Sequence, residues 1–145
     1  NMNEFWQCSP KQRLSLWRQF RKTLTSMEYI ERLQAVVDFW KMAPMSSMHT
    51  DIYDTSTWLA PWDFIWEGRY DENSVALGMA YSLQLESNAE CEILLVQNTK
   101  ESYINLIVLV DKTHILNYNY GIVNSVDQLD KNTTILEKIQ VSELT

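Results

Sequence analysis

The chain has 145 residues, of which 46% are hydrophobic and 21% are charged, and its formal net charge is −7 at pH 7. This length predicts one domain, residues 1–145, large enough to fold without a disulfide framework or a metal. The acidic balance disfavours a non-specific nucleic-acid binder, since phosphate binding needs a basic surface, and no apolar run approaches the roughly 18 residues of a membrane span.

The N-terminal half has the spacing of helices. Ser9-Pro10 predicts a helix start, because serine caps an N-terminus and proline is tolerated in the first turn. The apolar face of this helix is Leu14, Trp17, Phe20 and Leu24. Thr25 followed by Glu28 predicts a capping box for a second helix. The apolar stripe of the second helix is Tyr29, Leu33, Val36, Val37 and Trp40.

A loop and two further helices follow. Residues 42–57 are predicted to be loop, with methionines that fill gaps beneath it: Met42, Met45 and Met48. Pro61 and Gly68 bound a short helical turn from Trp62 to Trp66. Asp71 is placed to cap a buried helix that runs to about Glu86.

The second half changes to the pattern of strands. "CEILLVQN", "YINLIVLVD" and "THILNYNYG" are apolar runs separated by polar turns, and they predict three consecutive strands. Val123 to Leu129 is predicted to include a turn of helix. For "TTILEKIQVSEL" a last strand and a helix both stay open. Helices followed by an antiparallel sheet give the α+β class.

The stretch "WLAPWDFIWEGRYDENSVA", residues 58–76, resembles the signature of the bacterial transglutaminase-like cysteine proteinases, approximately W-A-T-P-x-E-F-L-x-x-G-x-G-D-C-x-D-Y-A. Matching or similar positions are Trp58, Pro61, Asp63, Phe64, Gly68, Asp71 and Ala76. The resemblance extends over residues 29–120. It implies a transglutaminase-like, papain-like core at 26–121, a central helix on a small antiparallel sheet, flanked by an N-terminal helical extension at 1–25 and a C-terminal segment at 122–145.

The resemblance also implies where a catalytic site would lie. The family places a cysteine at a helix N-terminus, a histidine on a neighbouring strand and an acid on the next strand. Carried over position by position, the cysteine falls at Glu72, the histidine at Asn105 and the acid at Asn117. All three are replaced, so the resemblance implies a lost catalytic triad and no catalytic residue of this type.

Three interpretations of Glu72 follow. An acid in the first turn of a helix is favoured by about 0.3–1 kcal/mol through the helix dipole, so Glu72 is first a good helix start. Alternatively, Glu72, Asn105 and Asn117 line a retained polar cleft. In the third interpretation Glu72 is the base or nucleophile of a hydrolase or peptidase-like enzyme. A subunit whose missing residues come from a partner also stays open.

The leading hypothesis is a pseudoenzyme that serves as a protein-binding or structural module. The expected binding surface is the cleft rim, with Trp58, Trp62, Trp66, Asp71 and Tyr118. The alternative surface is the basic face of the N-terminal helix, formed by Lys11, Arg13, Arg18, Arg21 and Lys22. A protein partner is expected, with no nucleic acid, no membrane and no cofactor, while the oligomeric state stays open.

Metal binding and a disulfide have weak support. His49, Asp51 and Asp54 are of types that bind metal, but closely spaced loop acids are usually solvated, so no metal site is predicted. Cys8 and Cys91 leave one long-range disulfide open. The absence of a signal peptide predicts a cytoplasmic or virion-associated location, and a composition poor in Gly and Pro suits a phage or bacterial protein.

Overall fold

The computed structural model describes residues 2–41, 43, 50–100 and 102–144. The five α-helices among them are α1 (Met2–Gln7), α2 (Pro10–Thr23), α3 (Tyr29–Lys41), α4 (Pro61–Glu67) and α5 (Glu72–Gln84). The five strands are β1 (Cys91–Asn98), β2 (Tyr103–Val110), β3 (His114–Leu116), β4 (Asn124–Ser125) and β5 (Thr133–Gln140). The loop methionines Met42, Met45 and Met48, like His49, lie outside the described residues.

The strands form one antiparallel sheet in the order β4-β3-β2-β1-β5. Helix α5 packs on β1 and β2, and α3 packs on α5. The three predicted consecutive strands are therefore confirmed as a meander, and the α+β class is confirmed with them. Strand β3 is shorter than predicted, because Asn117 adopts a φ of +66° and turns the chain out of the sheet.

The N-terminal helices are part of the core. Ser9 caps α2 as predicted, with its hydroxyl accepting from the Gln12 amide, and Trp17 is buried on the inner face of α2. The predicted capping box at Thr25 is wrong: Thr25 lies in a 3-10 turn, Leu24–Ser26, and its hydroxyl donates to the Lys22 carbonyl at 2.9 Å. The chain keeps turning after α2, and α3 begins only at Tyr29.

Arg13 links α2 to the C-terminal ends of α1 and α4 through hydrogen bonds. The side chain is buried, and its guanidinium donates to the carbonyls of Ile65 and Trp66, both at 2.8 Å, and to that of Cys8. These carbonyls lie in the last turn of α4 and just after α1, where a positive charge also meets the negative end of each helix dipole. Arg13 thus joins α2 to α1 and α4, and the predicted helices at the N-terminal end pack against the core.

A buried serine fixes α5 against the other helices. Ser82 accepts hydrogen bonds from the indole N–H groups of Trp17 and Trp40, both at 3.0 Å, and donates to the Gly78 carbonyl at 2.7 Å. A Cβ at Gly78 would lie 2.6 Å from the Trp40 ring, so α5 and α3 approach too closely for any larger residue there. These contacts of Ser82 and Gly78 set the position of α5, including its N-terminus.

The C-terminal segment completes the sheet. The open choice for "TTILEKIQVSEL" resolves as a strand: β5 pairs with β1 and is followed by a 3-10 turn, Val141–Glu143. The expected turn of helix after Gly121 is the 3-10 turn Val126–Gln128. No helix in the described part of the chain is long and apolar enough to cross a membrane.

Candidate functional site

Asp71 builds the start of α5. Its carboxylate accepts from the amides of Asn73 at 3.0 Å and Ser74 at 2.7 Å, and the Ser74 hydroxyl accepts from the Asp71 amide at 2.7 Å. The same carboxylate accepts from the amide and the hydroxyl of Thr50. Asp71 is buried, and these contacts hold the helix start and the incoming loop together, so they give it a structural role rather than the predicted binding role.

Glu72 is the first residue of α5 and is exposed. Its carboxylate accepts a hydrogen bond of 2.8 Å from the hydroxyl of Tyr103, which opens β2 and is 44% exposed. Desolvation, followed by this hydrogen bond and the nearby charge of Glu72, raises the pKa of Tyr103 to about 12. Tyr103 therefore keeps its proton at neutral pH, and its hydroxyl donates a hydrogen bond to the Glu72 carboxylate.

The side chains of Asn73 and Asn117 form hydrogen bonds with the backbone of β2 where β3 does not extend. Strand β3 pairs with β2 only from Val108 to Val110, so no strand in the described part of the chain pairs with the first half of β2 on that side. At Leu106 the amide donates to Asn73 Oδ1, and the carbonyl accepts from Asn117 Nδ2, both at 3.0 Å. Asn117 Nδ2 also donates to the Glu72 carbonyl at 3.1 Å. The side chain of Asn117 thereby links α5 to the sheet edge.

Asn105 lies on the face of the sheet opposite α5, near the same edge of β2. Side chains alternate along β2: Leu106 belongs to the core under α5, whereas Ile107 belongs to a second apolar cluster on the opposite face. Asn105 shares the face of Ile107 and pairs across the strands with Val96, another member of that cluster. It is half-buried and lies beside the open edge of β2.

One cleft of about 580 Å³ follows this open edge and brings Glu72, Asn105 and Asn117 together. The three positions assigned by the resemblance thus line a single cavity. Other described residues in its walls are Trp40, Val75, Met79, Tyr103, Tyr118 and Tyr120. No cysteine or histidine is among its described lining residues.

The predicted tryptophans lie elsewhere. Trp58 lines a separate depression of about 190 Å³, and its indole donates to the Asp51 carbonyl at 2.7 Å. Trp62 and Trp66, which are 42% and 51% exposed, line a third, shallow depression beside Leu14 of α2. Because α4 packs on α2 and α5, its outer face turns away from the sheet edge, so the expectation that these residues rim the Glu72 cleft is wrong.

Tyr118 does line the cleft. Its hydroxyl accepts from the Asp130 amide at 2.8 Å and shares a hydrogen bond of 3.2 Å with Thr133. These bonds tie the segment after β3 to the start of β5. The sequence missed Tyr103 and Asn73, because a tyrosine at the start of a strand and an asparagine near a helix cap are ordinary local choices that carry no mark of a shared site.

The other sequence candidates are engaged in local structure. Asp51 and Asp54 accept from backbone amides two residues on, and no group of three or more His, Cys, Asp or Glu in the described residues could hold a metal ion. Part of the positive charge on the basic face of α2 is neutralised, because Arg21 forms an ion pair with Glu86 at 3.2 Å. Neither Cys8 nor Cys91 takes part in a disulfide, and burial raises the pKa of Cys91 to about 12.

Comparison with known proteins supports the fold. No protein-family model matches the chain, and no curated protein sequence matches it. Calcium-bound Legionella pneumophila LapG aligns with a TM-score of 0.73 and 13% identity over 95% of this chain and 81% of that one. A second L. pneumophila LapG structure aligns with a TM-score of 0.71 and 13% identity, over 96% of this chain and 83% of that one. EGTA-treated LapG aligns with a TM-score of 0.70 and 12% identity, over 96% of this chain and 81% of that one. The chain therefore has the transglutaminase-like fold of LapG, as predicted.

Proposed function

We propose that this chain is a non-catalytic transglutaminase-like domain whose Glu72 cleft binds a segment of a protein partner. One observation carries the proposal. The three positions that the resemblance assigns to nucleophile, base and acid are Glu72, Asn105 and Asn117, and they line one cleft without a cysteine or histidine among its described residues. Among the described lining residues of this cleft there is no thiol or imidazole to perform acyl transfer.

The contacts of the two asparagines support a role other than catalysis. Both N–H bonds of the Asn117 amide are directed to backbone carbonyls, those of Glu72 and Leu106. An amide also cannot take and return a proton near neutral pH, so Asn105 cannot replace a histidine base. Asn117 holds the sheet edge, and Asn105 offers hydrogen bonds to a ligand.

The open edge of β2 favours an extended peptide as the ligand. Along an antiparallel strand, alternate residues direct their N–H and C=O groups to the same side. Leu106 directs its groups away from β1, where the side chains of Asn73 and Asn117 already occupy them, so the edge left for a peptide strand is that of Ile104, two residues earlier. Strand addition to such an edge is a common mode of peptide recognition, with pockets for alternate side chains. A cleft of about 580 Å³ beside it is large enough for such a side chain.

Selection from a random peptide display library tests the proposal. Replacing Asn105 by Trp fills the cleft, and we expect the affinity of selected peptides to fall at least about tenfold, as for loss of a central contact. Trp62→Ser is the matched control on the exposed face of α4 and should leave the affinity unchanged. Peptides that lose binding to Trp62→Ser but keep it to Asn105→Trp would place the binding surface on α4 instead.

A second candidate is a hydrolase in which Glu72 acts as base. The Tyr103 hydroxyl, 2.8 Å from the carboxylate, favours it because a working catalytic glutamate needs a second polar group in reach. Glu72→Gln removes the base with little change of shape, so loss of hydrolysis at unchanged stability would support this candidate. The cytoplasmic or virion-associated location and the phage or bacterial origin stay predictions from the sequence.

A further inference from the structure

Several hydrogen-bond donors of the cleft are already used by the protein itself. The Tyr103 hydroxyl donates to Glu72 at 2.8 Å, and both N–H bonds of Asn117 go to backbone carbonyls. The Tyr120 hydroxyl donates to the Lys41 carbonyl at 3.0 Å. A ligand that enters the cleft therefore finds few free donors among these lining groups.

Acceptors and negative charge remain available. An ionised carboxylate has about four acceptor sites, and Tyr103 occupies one of those of Glu72. Among the described residues no lysine or arginine forms an ion pair with Glu72. The exposed acid Asp130 lines the same cleft. The one cation among the described lining residues is Lys41, and its charge is balanced by an ion pair with Asp38 at 3.0 Å.

Aromatic rings stand at the same cleft. Tyr103 is 44% exposed and Tyr120 is 80% exposed, and Tyr118 forms part of the wall between the sheet edge and β5. A guanidinium is attracted to aromatic faces and stacks on them, and it is more weakly hydrated than an ammonium group. It also carries five N–H donors and no acceptor, which complements a cleft poor in free donors.

We infer that the cleft selects a positively charged side chain, an arginine guanidinium presented by the bound segment; this inference rests on the proposed function. The guanidinium donates to the free acceptor sites of Glu72 and lies against the tyrosine rings. A neutral amide side chain fits less well, because it brings no charge to the Glu72 carboxylate and its carbonyl meets Tyr103, Asn117 and Tyr120 donors that are already engaged. Asn105 remains as the amide that serves the backbone of the bound segment.

Titration with two matched small probes tests the inference. N-acetyl-arginine methylamide carries the guanidinium, and N-acetyl-citrulline methylamide replaces it by a neutral urea of nearly the same shape. Binding is followed by NMR on the side-chain amide resonances of Asn105 and Asn117. We expect arginine to bind at least about tenfold more tightly than citrulline, because charge-assisted hydrogen bonds are roughly twice as strong as neutral ones.

Three variants identify the carboxylate responsible. Glu72→Gln should reduce the arginine affinity about tenfold and remove the preference over citrulline. Glu67→Gln, an exposed glutamate on α4 that does not line the cleft, should change neither. Tyr103→Phe releases one acceptor site of Glu72, so the arginine affinity should be kept or increased.

The outcomes separate the inference from the proposed function. Equal binding of arginine and citrulline at Asn105 and Asn117 overturns charge selection and leaves a peptide-binding cleft in place. A preference for arginine that survives in Glu72→Gln also overturns the inference, since another group would then select the charge. If neither probe shifts these resonances, the inference fails, and the library selection with Asn105→Trp decides the proposed function separately.

Discussion

Asn117 illustrates at the residue scale why this site suits an amide. Its backbone φ is +66°, a left-handed conformation that asparagine tolerates better than most residues. Its side chain donates to the carbonyls of Glu72 and Leu106. The acid that the resemblance places here would turn a carboxylate towards two carbonyl oxygens, and the sheet edge would lose both hydrogen bonds.

We expect Asn117→Asp to lower the free energy of unfolding by about 1–3 kcal/mol, the cost of leaving such groups unsatisfied. Asn117→Gly is the control, because glycine adopts the positive φ and removes the donors without adding a charge, so its loss should be smaller. Urea denaturation measures both variants. An Asn117→Asp protein as stable as the wild type would mean that these bonds contribute nothing.

Tyr103 predicts a loss of stability at alkaline pH. Its pKa is about 12 in the folded protein against an ordinary value of 10.0. Between these values the unfolded chain loses the proton while the folded protein keeps it, so stability is complete below about pH 10 and falls as the pH rises towards 12. The denaturation midpoint of Tyr103→Phe should fall less steeply over this interval. Identical slopes in both proteins would contradict the assignment.

Residue types alone could not locate the whole site. The resemblance placed Glu72, Asn105 and Asn117, which the structure brings into one cleft. The hydrogen bond between Glu72 and Tyr103 joins residues 31 positions apart, and it depends on how far α5 reaches past the short β3. A local sequence pattern cannot show a contact between two residues so far apart in the chain.

At the scale of elements, the position of α5 depends on the hydroxyl of Ser82. It accepts from two buried indoles and donates to one carbonyl, so all of its hydrogen-bonding capacity is used. Buried N–H groups without a partner are costly, because they have given up water without replacement. The serine therefore couples the packing of α2, α3 and α5.

Ser82→Ala should lower the free energy of unfolding by about 2–4 kcal/mol, since it leaves the indole N–H groups of Trp17 and Trp40 without their acceptor. Ser15→Ala, on the exposed side of α2, should change it by less than about 0.5 kcal/mol. Tryptophan fluorescence during urea denaturation reports both. A loss equal to that of Ser15→Ala would show that other groups satisfy the indoles.

Apolar patterns predicted the elements that are well buried and failed where burial is incomplete. Helices α2, α3 and α5 and strands β1 and β2 follow their apolar patterns. Strand β5 is an edge strand with most of its side chains exposed, so its sequence lacks the alternation that distinguishes a strand from a helix. Tertiary pairing with β1 decides its conformation.

At the scale of the molecule, segments near both ends of the described chain contribute to the core. Phe5, Trp17 and Leu24 from the N-terminal helices are buried with the core under α5, and Val141 joins them from beyond β5. The segment boundaries at 26 and 121, which the resemblance implied, would cut through this core. The resemblance covered residues 29–120 and had no information about what packs around them.

A fragment of residues 26–121 should therefore fail to fold cooperatively. It lacks β4, β5 and the buried aromatic side chains of α1 and α2. Circular dichroism during thermal unfolding should give no sharp transition for the fragment, while the full chain unfolds in one. A fragment with a cooperative transition and dispersed NMR resonances would show that the ends are true extensions.

The most direct test of the central claim is the fate of a peptide bound in the Glu72 cleft. Peptides selected by the full-length protein are incubated with wild type and with Glu72→Gln, and their masses are followed by mass spectrometry. A non-catalytic binding domain predicts intact peptides with both proteins and retention that depends on the cleft. Cleavage by the wild type that disappears in Glu72→Gln at unchanged stability would contradict the claim and establish a glutamate-dependent hydrolase.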